Sequence, residues 1–75
     1  MKLVLMEFIF TSHSKHRIQM RRLTEEEVIE AIRHPDRVIK KYGNYYAQKN
    51  IGRGTIEVPY EKTEKYIRII TVYWI

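Results

Sequence analysis

The sequence of 75 residues contains no cysteine. This absence excludes disulfide bonds and zinc sites built from thiolates. No apolar run approaches the roughly 20 residues that a helix needs to cross a membrane. At this length the chain forms one domain, residues 1–75, with too little volume for a deep internal pocket. We therefore expect any active site to be a shallow surface cleft.

The first ten residues, MKLVLMEFIF, form an apolar run that lacks the features of a secretion signal. Glu7 interrupts the run, and no small-residue cleavage motif follows it. We interpret residues 3–10 as a buried strand and expect a cytoplasmic protein without membrane contact. The sequence also lacks repeats, linkers and low-complexity segments.

The charge balance is basic, with 14 Lys and Arg residues against 9 Asp and Glu residues and a net charge of +5. A basic surface favours nucleic acid or another polyanion as partner, although plain solubility explains the same balance. Abundant Ile, Lys, Glu, Arg and Tyr without Cys are typical of a thermophilic source.

Two helices are predicted after the first strand. Ser12 is the predicted N-cap of a helix over residues 13–22, because serine accepts a hydrogen bond from the first turn. Thr24 and Glu27 have the spacing of a capping box, which begins a second helix. His34-Pro35 ends that helix, since the residue before proline avoids the helical conformation.

The second half of the chain has the alternation of strands. Gly43-Asn44 predicts a two-residue hairpin turn. Pro59 lacks a backbone donor, which predicts an edge position or a bulge. The last strand is apolar on both faces, which predicts a central position. The predicted fold is α+β, in the order β-α-α-β-β-β-β, with four strands after the helices at residues 37–42, 45–51, 55–60 and 66–75.

The first predicted helix carries a row of basic side chains at every fourth position, formed by His13, Arg17 and Arg21. These residues fall within roughly 80° of one another on the helix surface and border a narrow apolar stripe that is anchored by Ile18. Cations at such a partly shielded place need a negative partner. The partner is either internal, such as Glu7, Glu57 or the carbonyls of the sheet, or a phosphate backbone.

The same residues are part of a longer pattern, H-x-x-x-R-[IM]-x-x-R-x-[IL]-[ST]-x-E-E-[VI]. In this chain it begins at His13, passes through Arg17 and Arg21, and is followed near the end by the I-T-V-Y segment at residues 70–73. The pattern resembles a small prokaryotic family of domains of unknown function, over residues 8–74. That family usually has glycine where this chain has Arg22, so we expect a different helix–helix turn here.

The family in turn looks like a relative of the RelE/ParE type of toxin. The resemblance implies two N-terminal helices packed on a twisted antiparallel sheet. It also implies RNA as a partner, because many proteins of this wider group are endoribonucleases held inactive by an antitoxin, whereas others poison gyrase or only bind. An antitoxin-like protein is a second implied partner. The resemblance assigns no catalytic residue to this chain.

RNA cleavage by the internal 2′-hydroxyl needs a base, an acid and cations that stabilise the pentavalent phosphorane. His13 is the predicted base or acid, because histidine titrates near neutral pH. Arg17 and Arg21 are predicted to hold the phosphate, and Tyr73 to stack or to transfer a proton. We expect no metal and no cofactor, because His13 and His16 lack further ligands at suitable spacing. The residues predicted to bind nucleic acid are His16, Lys49, Arg53 and Arg68.

Two functional hypotheses follow from the sequence. The first is a toxin-like RNA-binding protein or a metal-independent endoribonuclease of RelE type. The alternative is a non-catalytic module that binds nucleic acid or protein. A catalytic centre predicts that His13, Arg17 and a side chain from the sheet converge on one phosphate site. A binding module predicts a basic face without a convergent acid and base. The sequence leaves the choice, the RNA target and the oligomeric state open.

Overall fold

The computed structural model describes residues 6–75, and residues 3–5 of the predicted first strand lie outside this range. The α+β class and the succession of elements agree with the prediction, except that the last strand is divided in two. The elements are β1 (Glu7–Phe10), α1 (Ser12–Met20), α2 (Glu25–Arg33), β2 (Arg37–Lys41), β3 (Asn44–Asn50), β4 (Thr55–Lys62), β5 (Tyr66–Ile69) and β6 (Tyr73–Trp74).

The described strands form one sheet in the order β1-β5-β4-β3-β2, and β6 pairs with β4 in line with β5. β1 runs parallel to β5, and the other pairs are antiparallel. β5 therefore has a neighbour on each side, as its apolar sequence predicted. The edges of the described sheet are β1, β2 and the free side of β6, which pairs with β4 alone. The central position predicted for residues 66–75 therefore holds for β5 and not for β6.

The core lies between the helices and one face of the sheet, here called the helical face. Val28, Ala31 and Ile32 from α2 are buried together with Ala47 of β3 and Ile56 of β4. Because successive side chains of a strand point to opposite sides, the residues between these strand positions lie on the other face, here called the outer face. The outer face includes Gln48, Glu57 and Tyr73.

The beginning of α1 differs from the prediction by one residue. Thr11, and not Ser12, is the N-cap: its side-chain oxygen accepts a hydrogen bond from the Ser14 amide at 3.0 Å. The Ser14 hydroxyl donates to the Thr11 carbonyl at 2.9 Å, which explains how a serine is accommodated in full burial. α1 ends at Met20, and Arg22 takes the left-handed conformation with φ of 57°. Glycine favours this conformation, so Arg22 occupies the tight turn between the two helices.

α2 begins and ends where its sequence predicted. The Glu27 amide donates to Thr24 Oγ1 at 3.1 Å, and the Thr24 amide donates to Glu27 Oε1 at 3.0 Å, which together form the capping box. The helix ends at Arg33, and His34 is its C-cap directly before Pro35. Local signals were sufficient here because each hydrogen bond joins residues three positions apart.

The β2–β3 hairpin turn was predicted one residue too late. Lys41 pairs with Asn44, so the two turn residues are Tyr42 and Gly43, with φ of 54° and 76°. Positive φ at both positions is the mark of a type I′ turn. The turn type was correct, but a tyrosine occupies the place that asparagine usually takes.

The prediction that Pro59 marks an edge strand is wrong, and the alternative of a bulge is correct. β4 is an interior strand, and opposite Val58 and Pro59 the C-terminal segment has three residues, Ile70, Thr71 and Val72. The Pro59 carbonyl accepts from the Ile70 amide at 2.9 Å. Because the N–H and C=O positions of a strand residue face the same side, the missing donor of Pro59 faces this interruption. The extra residue divides the predicted final strand into β5 and β6.

Candidate nucleic-acid interface

The basic row on α1 lies along the border between the buried and exposed sides of that helix. Ser14 and Ile18 are the buried residues of α1. Arg17 and Arg21 are half-buried, whereas His13 is exposed. The predicted border position is therefore confirmed for the two arginines, and the histidine lies further out.

The two carboxylates that the sequence offered as partners of this row do not pair with it. Glu7 is exposed at the start of β1 and forms no ion pair with a described residue. Glu57 lies on the outer face, where it bonds to Gln48 and Tyr73. Within residues 6–75 the ion pairs are Arg53–Glu27 and Arg68–Glu61, and neither includes the row. Residues 12–23 contain four Lys or Arg residues, two His residues and no carboxylate. The row consequently has no internal counter-charge in the described part of the chain.

Arg53 braces the connection between the two helices. Its Nη1 lies 2.5 Å from Glu27 Oε2, and its Nη2 donates to Glu27 Oε1 at 3.0 Å. Nη2 also donates to the Arg22 carbonyl at 2.6 Å, next to the left-handed turn. The hydrogen bonds to Arg53 lower the pKa of Glu27, and the same pairing raises the pKa of Arg53. Arg53 was predicted to bind nucleic acid, but its charge is largely neutralised by Glu27.

The indole of Trp74 lies at the C-terminal end of the basic row, a feature that the sequence analysis missed. Its Nε1 donates to the Arg21 carbonyl at 3.1 Å, and the Arg53 guanidinium carbon lies 5.6 Å from the ring centroid. The side of the ring lies against Gly54, where a Cβ atom would come within 2.8 Å of Trp74 Cζ3. The residue remains 38% exposed. Trp74 is the only tryptophan of the chain, and this was the signal by which the sequence could have identified it as a candidate binding residue.

Tyr73 is on the outer face, away from the helical face that Trp74 occupies. Its hydroxyl lies 2.5 Å from Glu57 Oε1 and donates to it, while Gln48 Nε2 donates to Glu57 Oε2 at 2.7 Å. Burial and the hydrogen bond to the Glu57 carboxylate raise the pKa of Tyr73 to about 12. The structure does not bring Tyr73 together with the row on α1.

Of the remaining residues predicted to bind nucleic acid, Arg68 and Lys49 lie apart from the row. Arg68 pairs with Glu61 on the outer face. Lys49 is on the helical face and donates to the His34 carbonyl at 2.7 Å. His16 is exposed on α1 near the row. Of the four residues predicted to bind nucleic acid, His16 shares a helix with the row and Arg53 touches its C-terminal turn.

A shallow groove of about 420 Å³ lies beside the Arg53–Glu27 pair. It is the kind of open cleft expected for a domain of this size, and three of its lining residues are glutamates. Its lining also includes Lys49 and Arg53 but no residue of the basic row. Among the described residues no group of three His, Cys, Asp or Glu side chains is arranged to hold a metal ion. In the same part of the chain no helix is long and apolar enough to cross a membrane.

Replacing Tyr73 by phenylalanine is expected to lower the free energy of unfolding by about 1 kcal/mol at neutral pH, since one hydrogen bond is lost. The raised pKa of Tyr73 fixes the sign of the pH effect. Its contribution is present below the ordinary value of 10 and is lost as the pH rises towards about 12. Spectrophotometric titration should show one fewer tyrosine ionising near pH 12 in the variant. If the same number of tyrosines ionised near pH 12 in the variant and in the parent, this assignment would be contradicted.

Replacing Glu27 by glutamine tests the brace separately from the helix cap, because glutamine also completes a capping box. The lowered pKa of Glu27 means that its carboxylate stabilises the fold above its ordinary value of 4.5 and that this contribution is lost at lower pH. The parent should therefore be more stable than Glu27→Gln at neutral pH, with the difference vanishing in acid. Urea unfolding at several pH values measures it, with the exposed Glu30→Gln as the matched control. Equal losses in both variants would contradict the account.

The fold and the surface define a class of small α+β domains. Both helices lie on one face of an open, mostly antiparallel sheet, and α1 is basic and carries no carboxylate. The family model described as Domain of unknown function (DUF4258) matches residues 10–74. The chain belongs to this family. No curated protein and no solved structure matches the chain.

Proposed function

We propose that this domain binds RNA through α1. The observation that carries the proposal is the basic row His13, Arg17 and Arg21, on a helix without a single carboxylate, where no described residue pairs with the two arginines. Arg53 and Arg68 are neutralised by glutamates. Arg17 and Arg21 have no such partner among the described residues and are therefore available to bind a phosphate. A guanidinium with free donors fits a phosphate in a bidentate manner.

The partial burial of Arg17 and Arg21 adds to this argument. A fully exposed cation is stabilised by water and needs no partner, whereas a half-buried one has lost part of its hydration. The C-terminal end of the α1 dipole offsets some of that loss for Arg21 but carries only about half an elementary charge. A phosphate backbone supplies the full counter-charge that the described part of the chain does not.

Binding is better supported than a four-residue catalytic centre. Tyr73 is committed to Glu57 on the outer face, so a centre made of His13, Arg17, Arg21 and Tyr73 would need residues from both faces of the sheet. Cleavage with His13 as base or acid is the narrower form of the proposal. The relationship to RelE/ParE-type toxins is supported by the two helices that precede the antiparallel strands. An RNA-cleavage assay of the parent and of His13→Ala separates binding from cleavage.

Fluorescence anisotropy of a labelled RNA, measured at several salt concentrations, tests the proposal. Two phosphate contacts from Arg17 and Arg21 predict that the logarithm of the association constant falls with the logarithm of salt concentration with a slope of about −1.4 or steeper for a single strand. Absence of binding at low salt would overturn the proposal. Binding that does not respond to salt would also overturn it, because phosphate contacts release counterions.

A further inference from the structure

We infer that Trp74 extends the α1 surface into a site for unpaired nucleotides, in which a base stacks on the indole while the phosphates follow Arg21 and Arg17. The preferred ligand is then single-stranded RNA and not a duplex. This inference rests on the proposed function and specifies its ligand. It adds a residue on a different element, β6, to the surface that α1 forms.

The first support is the contact between the indole and the row. The hydrogen bond from Trp74 Nε1 to the Arg21 carbonyl, at 3.1 Å, places the ring directly at the end of the row. From there Arg17 is one helical turn further along α1, or about 6 Å. Proteins that bind single strands without sequence preference combine basic side chains along the backbone path with aromatic rings on which bases stack.

The second support is that the ring is held in place and still accessible. Gly54 lies against one part of the ring, and the Arg53 guanidinium lies over it at 5.6 Å. Nevertheless 38% of the residue is exposed, so part of it is accessible to a ligand. A stacking partner that is fixed in advance loses little conformational freedom on binding.

Double-stranded RNA fits this surface less well than unpaired nucleotides. The major groove of an A-form helix is deep and narrow, and side chains cannot read it. The bases of a duplex are stacked on one another and leave no face for Trp74. Unpaired bases in loops or single strands expose such a face.

Tyr42 is the competing aromatic residue, because it is 88% exposed and has Lys41 over its ring. It lies in the β2–β3 turn, and its basic neighbour Lys41 also lies over the ring of Tyr46. Its described contacts do not include any residue of the row. Tyr42 therefore serves as the matched control for Trp74.

The experiment uses the fluorescence of the parent protein, which reports on Trp74 alone because the chain has a single tryptophan. An unstructured single-stranded RNA and a duplex containing the same strand are titrated separately, and anisotropy of a label on each RNA reports binding independently. We expect the single strand to quench Trp74 and to bind at least about fivefold more tightly than the duplex. Trp74→Leu should lose about fivefold or more in affinity for the single strand, whereas Tyr42→Leu should match the parent.

The outcomes separate this inference from the proposed function. Binding of the single strand without quenching, or equal affinity for the duplex, would overturn the inference while RNA binding itself stands. Absence of binding to both RNAs would overturn the inference together with the proposed function. If Trp74→Leu proves unfolded by circular dichroism, the quenching and the strand preference of the parent still decide.

Discussion

The double variant Arg17→Gln/Arg21→Gln is expected to bind single-stranded RNA at least about tenfold more weakly than the parent at low salt. Both side chains are half-buried on α1 and have no ion-pair partner among residues 6–75, so the variant removes the two phosphate contacts that we propose. The variant should also have a shallower salt dependence, with the slope reduced by about 1.4 for two lost contacts. Glutamine retains helix propensity, so α1 should remain folded.

The matched control is Lys62→Gln/Lys65→Gln. It removes the same two positive charges from exposed positions at the β4–β5 connection, outside α1. If RNA binding depended only on the net charge of +5, both variants would weaken equally. Equal losses would therefore contradict a localised interface, whereas a larger loss in the α1 variant supports it. Anisotropy titrations at three or more salt concentrations distinguish these results.

Gly54→Ala is expected to destabilise the fold by about 1–3 kcal/mol, because the added Cβ atom causes both backbone strain and a steric clash. Gly54 has a φ of 150°, which residues with a side chain rarely adopt, and its added Cβ would come within 2.8 Å of the Trp74 ring. The ring would have to move away from the Arg21 carbonyl that it now binds. For a domain of this size the melting temperature should fall by about 4–8 °C per kcal/mol.

Gly52→Ala separates the two effects. Gly52 also has a positive φ, 94°, but nothing lies within 4 Å of the position that its Cβ would take. We expect backbone strain alone in this control, with a smaller loss of stability and an unchanged emission spectrum of Trp74. Thermal unfolding followed by circular dichroism and by tryptophan fluorescence measures both. Equal losses with equal spectra would show that the contact between Gly54 and Trp74 contributes nothing.

The parts of the fold that local chemistry determines could be predicted from the sequence. The bounds of α2 follow from the Thr24–Glu27 box and from Pro35, within three residues of the places where they act. The cap of α1 was misplaced because Thr11 and Ser12 are adjacent and both residue types cap helices. The hairpin turn was shifted because Asn44 is the more usual turn residue, but Lys41 pairs with it as part of the ladder.

The parts that depend on distant pairing could not be predicted. The apolar pattern of residues 66–75 reads as one strand, and its division depends on which residues of β4 lie opposite. The bulge opposite Pro59 reverses the alternation after Ile69. This reversal places Trp74 on the helical face and Tyr73 on the outer face. The predicted site combined Tyr73 with α1, whereas the bulge places Tyr73 on the face of the sheet away from the helices.

The candidate interface shows the same division. The position of the row on α1 follows from helical periodicity, so the sequence was sufficient to locate it. The partners of Arg53 and Arg68 were not foreseeable, because Glu27 is 26 residues away from Arg53 and Arg68 pairs through the register of β4 with β5. Composition cannot distinguish a neutralised arginine from one that is available to a phosphate. Trp74 joins the row through a contact between residues 53 positions apart.

Amide chemical shifts of the isotopically labelled domain, followed while single-stranded RNA is added, test the central claim most directly. We expect the largest changes on residues 13–22 and on the indole N–H of Trp74, which gives a single resonance because the chain has one tryptophan. Changes confined to the outer face around Glu57 and Tyr73, or to the turn at Tyr42, would contradict the account and assign the interface to another surface.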